Sequence, residues 1–188
     1  MIIFYVLITD IINRRNMKNI VLTGFMGTGK TEVGKILSQR LGYAIVDADS
    51  EIEKETGMTI TEIFQRYGEP RFRDIEASVI KRLSGLKNTI ISTGGGAVLR
   101  EENIANLREN GLIICLTASP ETILKRTSNN SSRPLLQVED PLQKIKELLE
   151  YRRPYYEKAD IMIDTENKNP LEVAEEIIQK TKDRLRDC

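Results

Sequence analysis

Gly24-Phe25-Met26-Gly27-Thr28-Gly29-Lys30-Thr31 fits G-x-x-x-x-G-K-[ST], the pattern of a loop that cradles phosphates. Its flanks decide the fold. Asn19-Ile20-Val21-Leu22-Thr23 is a short apolar run of strand type, and from Lys30 to Leu41 the residues Val33, Ile36, Leu37 and Leu41 repeat like one face of a helix. A strand therefore feeds a glycine turn that opens a helix. In that geometry the backbone N–H groups of Gly27, Thr28, Gly29 and Lys30 converge on an anion, helped by the positive end of the helix dipole. The Lys30 ammonium suits the β- and γ-phosphates of a nucleoside triphosphate, and the Thr31 hydroxyl suits Mg²⁺.

Outward from this loop, strand and helix patterns alternate. Further strands are expected at 44–49, 89–93, 112–116 and 161–164, and helices at 52–67 with a break at Gly57, 70–83, 101–109, 120–126, 141–151 and 170–180. The apolar strands read as buried on both faces, which implies a parallel sheet with helices on either side and right-handed crossovers. The fold class is α/β, three-layered, with a central five-stranded parallel sheet. Ligands of such sheets collect beyond the carboxyl ends of the strands. There the first strand ends in the phosphate loop, the second in Asp47 and Asp49, and the third in Gly94-Gly95-Gly96.

The connection between the second and third strands, about forty residues, exceeds what one crossover helix needs. It is read as an inserted helical subdomain at about 50–85. The polar run Thr127-Ser128-Asn129-Asn130-Ser131-Ser132-Arg133-Pro134 suits a mobile lid at about 127–140. Residues 1–16 are expected to be a disordered extension before a natural start at Met17, leaving 17–188 as one domain.

Composition narrows the chemistry. The 188 residues are 40% hydrophobic and 30% charged, ordinary for a globular domain. Lys+Arg and Asp+Glu are both 28, so no overall basic field recruits nucleic acid or an anionic membrane. With no histidine, acid–base work falls to carboxylates or to the bound phosphate. Two cysteines, Cys115 and Cys188, form no metal pair or disulfide framework and suit a reducing cytoplasm.

Several residues carry two readings. On a strand, Asp47 and Asp49 would point the same way beside the phosphates, fit to serve a metal or a hydroxyl, yet Asp49 also suits the cap of the next helix. Arg73 and Glu76, three apart on a helix, make either a surface pair or an oriented anion grip. The glycine triplet is a turn, or a surface stripped of side chains where a ligand meets backbone N–H groups. Arg133 is a loop charge or a lid cation, with Arg126 assisting.

The ordered set of the phosphate loop, Asp47-Ala48-Asp49, Phe72-Arg73-Asp74-Ile75-Glu76, Gly94-Gly95-Gly96, Arg133-Pro134-Leu135-Leu136 and Arg152-Arg153-Pro154-Tyr155-Tyr156 resembles the shikimate kinases from about Met17 to Lys180. The resemblance implies ATP and Mg²⁺ as cofactors and shikimate as the acceptor, phosphorylated on its 3-hydroxyl. It implies a nucleotide set of Gly27, Thr28, Gly29, Lys30, Thr31, Glu32 and Arg133, and a metal set of Thr31 and Asp47. Asp49, Arg73, Gly95 and Arg152 would hold the acceptor, with Glu76 orienting Arg73. Asp49, Lys30 and Arg133 would be catalytic. Asp164 to Pro170 would face the adenine. A monomeric cytoplasmic enzyme is expected. The alternatives are another small-metabolite kinase of the same scaffold, acting on gluconate or a nucleotide, and a non-catalytic nucleotide sensor.

Overall fold

The computed structural model describes residues 18–128 and 138–185. The expected extension at 1–16, the start at Met17, Arg133, most of the expected lid and Cys188 lie outside them. Five strands, β1 (Asn19–Gly24), β2 (Ala44–Asp47), β3 (Thr89–Ser92), β4 (Gly111–Thr117) and β5 (Ile161–Asp164), form one sheet in the order β2-β3-β1-β4-β5. All four pairings are parallel. Every strand therefore ends on the same rim, and β1 lies between β3 and β4 where the chain switches direction across the sheet.

The helices are α1 (Lys30–Leu41), α2 (Ala48–Thr56), α3 (Ile60–Ser84), α4 (Glu101–Asn110), α5 (Pro120–Thr127), α6 (Pro141–Tyr156) and α7 (Pro170–Thr181), with a 3₁₀ turn at Ala97–Leu99. On one face of the sheet Val21, Ile91 and Ile113 pack with Ile52, Ile63, Ile80 and Leu107 of α2, α3 and α4. On the other, Ile20, Leu22 and Ile114 pack with Val33 and Leu37 of α1 and Val173 and Ile177 of α7. Each such buried side chain contributes about 1.5–3 kcal/mol, so the central strands are held from both sides. A third, smaller cluster of Phe25, Ile123 and Ile145 ties α5 and α6 to the phosphate loop.

Four expectations are corrected. The second strand does not reach Asp49: it stops at Asp47, whose Oδ1 accepts from the Ser50 N–H at 3.1 Å and caps α2. Asp49 thus stands in the first turn of a helix, and the capping role falls to Asp47. Burial on both faces holds for β1, β3 and most of β4, but the edge strands β2 and β5 are half-exposed. The helical stretch expected from 52 starts earlier, at Ala48, and breaks at Gly57 as expected; helical residues resume from Ile60 to Ser84, the backbone leaving the helix only at Gly68 (φ 77°, ψ 172°), so the gap before the helix expected at 70–83 is a single residue. Finally, α6 continues through Pro154 to Tyr156, five residues beyond its expected end.

Candidate active site

The phosphate loop is built by its own backbone. Gly29, at φ 92°, turns the chain into α1, and the Val33 N–H donates to its carbonyl at 3.0 Å. Thr28 is buried, with its hydroxyl (2.8 Å) and its backbone N–H (3.4 Å) both donating to the Phe25 carbonyl, so it braces the loop. The Lys30 ammonium folds back over the loop, donating to the carbonyls of Gly24 (2.8 Å) and Phe25 (3.0 Å). It also lies near Cys115 beneath, whose thiol burial pushes up to about 12 although Lys30 pulls it down. That thiol is inert. Thr31 is exposed at the start of α1.

Beside this loop a cleft of about 240 Å³ is lined by Thr28, Gly29, Glu32 and Val33 on one side and Arg126, Thr165, Lys168, Pro170 and Val173 on the other. The segment after β5 therefore meets the phosphate loop. Arg126 donates to the Thr165 hydroxyl and carbonyl, both at 2.9 Å, and to the Gly27 carbonyl at 3.4 Å. It is fixed to the wall of this cleft.

The second half of the site gathers on the glycine triplet after β3. The turn is hydrogen-bonded, Ala97 N–H to the Gly94 carbonyl at 3.1 Å and Leu99 N–H to the Gly96 carbonyl at 3.0 Å. A methyl group on Gly94 would stand 2.8 Å from Asp49 Oδ1, and one on Gly96 would stand 2.5 Å from Arg73 Nη2. On Gly95 it would meet Arg152 Nη1 at 3.4 Å and the Tyr156 hydroxyl at 3.5 Å. The three absent side chains thus admit side chains from α2, α3 and α6. Asp49, Arg73, Arg152 and Gly95, drawn from four distant stretches of sequence, meet on one turn.

Each of these groups has an identifiable support. Arg73 Nη1 donates to Glu76 Oε2 at 2.7 Å, and Glu69 Oε1 accepts from Nε at 3.2 Å and Nη2 at 3.0 Å. Burial opposes the Arg73 charge, but Glu76 and Glu69 more than restore it and raise its pKa. Glu76 is itself 1% exposed, and burial holds its carboxyl above the usual carboxylate range despite the pull of Arg73. The pair is no surface salt bridge. Arg152, 6% exposed, lies over the Phe25 ring at 5.5 Å, and its Nε has no hydrogen-bond partner among the described residues. A buried guanidinium donor left in that state is an exception to the pairing of buried polar groups. The Tyr156 hydroxyl, pushed up to about 12 by burial, donates to the Gly95 carbonyl at 2.8 Å and fixes that peptide.

Sequence reasoning missed Tyr156, Phe25 and Glu69 as parts of the site. Tyr156 follows Arg152 by four residues, one helical turn, and that spacing would have identified it had the helix been carried past Pro154. Among the described residues no three Asp, Glu, Cys or His side chains cluster as a metal cage. Hard oxygens do stand at the rim in Thr31 and Asp47, and Mg²⁺ bound with a nucleotide uses one or two protein oxygens, phosphates and waters. The donor set fits it.

A family model described as shikimate kinase matches residues 26–182. A shikimate kinase of Thermodesulfovibrio yellowstonii is 57% identical over 164 residues, 87% of this chain and 95% of that protein. One from Caldanaerobacter subterraneus is 53% identical over 163 residues, with 87% and 95% covered. The solved structure of shikimate kinase from Acinetobacter baumannii in complex with shikimate superposes with a TM-score of 0.85 at 40% identity, covering 89% of this chain and 94% of that one.

Proposed function

The chain belongs to the shikimate kinase family, and from that premise we propose how its residues move the γ-phosphoryl group of ATP to the 3-hydroxyl of shikimate, giving shikimate 3-phosphate and ADP. The observation that carries the proposal is the convergence of Asp49, Arg73 and Arg152 on Gly94–Gly96, on the rim that also carries the phosphate loop.

The backbone N–H groups of Gly27, Gly29 and Lys30 hold the phosphates, and the Lys30 ammonium exchanges its loop carbonyls for β- and γ-phosphate oxygens. Glu32, Arg126 and the segment after β5 form the walls for the base and ribose. Arg73 and Arg152 take the acceptor's carboxylate, for which a planar guanidinium supplies two parallel donors. Gly95, locked by Tyr156, presents backbone to the ring. Asp49 accepts the proton of the 3-hydroxyl as its oxygen bonds to the γ-phosphorus and the bond to the β–γ bridging oxygen breaks. Catalysis here is chiefly positioning and charge stabilisation.

Thr31 and Asp47 would hold Mg²⁺, Asp47 through water because its Oδ1 already caps α2. When bound, the ion neutralises charge on the β- and γ-phosphates. Arg133, outside the described residues, is assigned to the nucleotide and to the transferring phosphoryl group. We assign the enzyme to the cytoplasm as a monomer; none of the described helices is long and apolar enough to cross a membrane.

The test is ADP formation from Mg·ATP with shikimate, gluconate, a nucleoside monophosphate and no acceptor. Turnover with shikimate alone supports the reading. Equal turnover with gluconate or the nucleotide, or ATP binding without turnover, overturns it.

A further inference from the structure

All three nitrogens of Arg73 donate to carboxylates before any acceptor arrives. Its Nη1 serves Glu76, and its Nε and Nη2 both serve the single oxygen Oε1 of Glu69. The two carboxylates are held very differently. The Glu76 side chain is 2% exposed and sits in the core among α3 and its neighbours, whereas that of Glu69 is 60% exposed. Glu69 also follows Gly68 directly, where the backbone departs from the helix. Glu76 is a permanent partner; Glu69 can swing into water.

Charge counting points the same way. Around the glycine triplet stand three cations, Arg73, Arg152 and Lys30, the last on the Gly24 carbonyl against Gly95, and three carboxylates, Asp49, Glu76 and Glu69. Adding an acceptor carboxylate to this balanced cluster leaves one negative charge in excess, which like-charge repulsion opposes. With Glu69 withdrawn, one positive charge is in excess before the acceptor enters and the acceptor restores the balance, and Arg73 has two donors free on the edge Glu76 does not use.

We propose that Glu69 is a stand-in carboxylate: it occupies the outward donors of Arg73 in the empty site, keeps small inorganic anions off them, and is displaced by the carboxylate of the acceptor. The proposal rests on the reading that Arg73 binds that carboxylate. An inorganic anion offers nothing but its charge against this contact. Shikimate brings in addition a second guanidinium contact at Arg152 and hydroxyls for Asp49, so it displaces Glu69 at concentrations where a weakly held anion such as sulfate does not. Glu69 thus lowers the affinity of every anion for Arg73 by one common factor, setting a threshold that shikimate clears, although it need not touch the bound acceptor.

Steady-state kinetics of the full chain with Glu69→Gln, and with Glu69→Ala as a second variant, test this. The KM for shikimate is expected to fall about three- to fivefold, the scale of one exposed ion pair, with kcat and the KM for ATP unchanged. The competitive inhibition constant of sulfate against shikimate should fall by a similar factor, and the KM of the uncharged methyl ester of shikimate should not move. A merely structural role would not separate acid from ester. A KM for shikimate that rises or stays unchanged, a sulfate constant that does not move, or acid and ester shifting together overturns the proposal. If the unmodified enzyme does not turn over shikimate, the reading of the site fails instead, and the two failures are told apart.

Discussion

The two halves of the rim use glycine for opposite purposes. Gly24, where β1 enters the phosphate loop, has its missing side chain facing backbone: a Cβ there would lie 2.2 Å from the Leu116 carbonyl oxygen of β4. Gly96, where β3 enters its turn, has its missing side chain facing the movable end of Arg73. The phosphate-holding part of the nucleotide half is therefore a backbone object, contiguous in sequence and fixed by the sheet. The acceptor half is a side-chain object, collected from α2, α3 and α6 and fixed by what packs behind each group. Backbone recognition tolerates changes of side chain that leave the turn intact, whereas the acceptor half fails one residue at a time.

The largest expected break in that comparison is at Asp49. Asp49→Asn keeps the shape against Gly94 and removes the proton acceptor, so kcat should drop by about 10²–10⁴ while ATP affinity, measured by calorimetry, is retained. Near-native kcat would remove Asp49 from the chemistry. Gly96→Ala comes next. Its backbone, at φ −97° and ψ −6°, accepts alanine without strain, but the new methyl must push the Arg73 guanidinium aside. A shift near 1 Å in a positioning group costs about 10²-fold, expected in kcat/KM for shikimate with the KM for ATP unchanged. If ATP binding weakens equally, the halves are not separate.

Glu76 sharpens the comparison through pH. Burial raises its folded pKa above the unfolded value. Its contribution to stability is thus fully present below the ordinary carboxylate range and is lost as pH rises through the raised folded value. Glu76→Gln does not titrate there. Melting temperatures should converge in acid, and the variant should gain on the native protein toward neutrality, by about 2–4 °C for each kcal/mol relieved. Its KM for shikimate should rise, because an amide orients a guanidinium less firmly than a carboxylate does. A native protein that gains on the variant as pH rises would show that Arg73 more than offsets burial.

The contrast between backbone and side chain also explains what the sequence could and could not say. The phosphate loop and the parallel sheet were legible because periodicity and a contiguous motif report local backbone; the segment after β5 was assigned only through resemblance. The triplet Gly94–Gly96 was legible as a bare surface, but not as a seat for Asp49, Arg152 and Arg73, since nothing local states which side chain fills a distant vacancy. Asp49 was placed on a strand because alternation continues through Asp47-Ala48-Asp49; a single cap bond from Ser50 to Asp47 outweighs it. Glu69 went unseen because Pro70 reads as a helix start and severs it from Arg73, while in the actual chain the helix resumes at Glu69, directly after the break at Gly68, and carries both. The arginines themselves were identified through resemblance rather than through spacing.

The smallest expected effect tests whether the nucleotide half depends on any side chain outside its loop. Glu166, in the segment after β5, accepts from the Ser119 N–H at 3.0 Å and from the Thr122 hydroxyl, so it grips the N-terminus of α5. Those two bonds, Thr122 first, hold its carboxyl below the usual range, as a negative charge at a helix N-terminus should be. The other end of α5 carries Arg126, which donates to Thr165. One wall of the cleft is thus tied at both ends of a single helix. Glu166→Gln weakens one tie and should raise the KM for ATP by about threefold, the scale of an exposed charged contact, leaving kcat and the KM for shikimate unchanged. Combined with Gly96→Ala, the effects should simply multiply, since sites without shared partners add in free energy. A shikimate KM that follows the ATP KM, or a double variant worse than the product, would mean that α5 transmits position from one half of the rim to the other, and the division between backbone and side chain would then describe construction but not energetics.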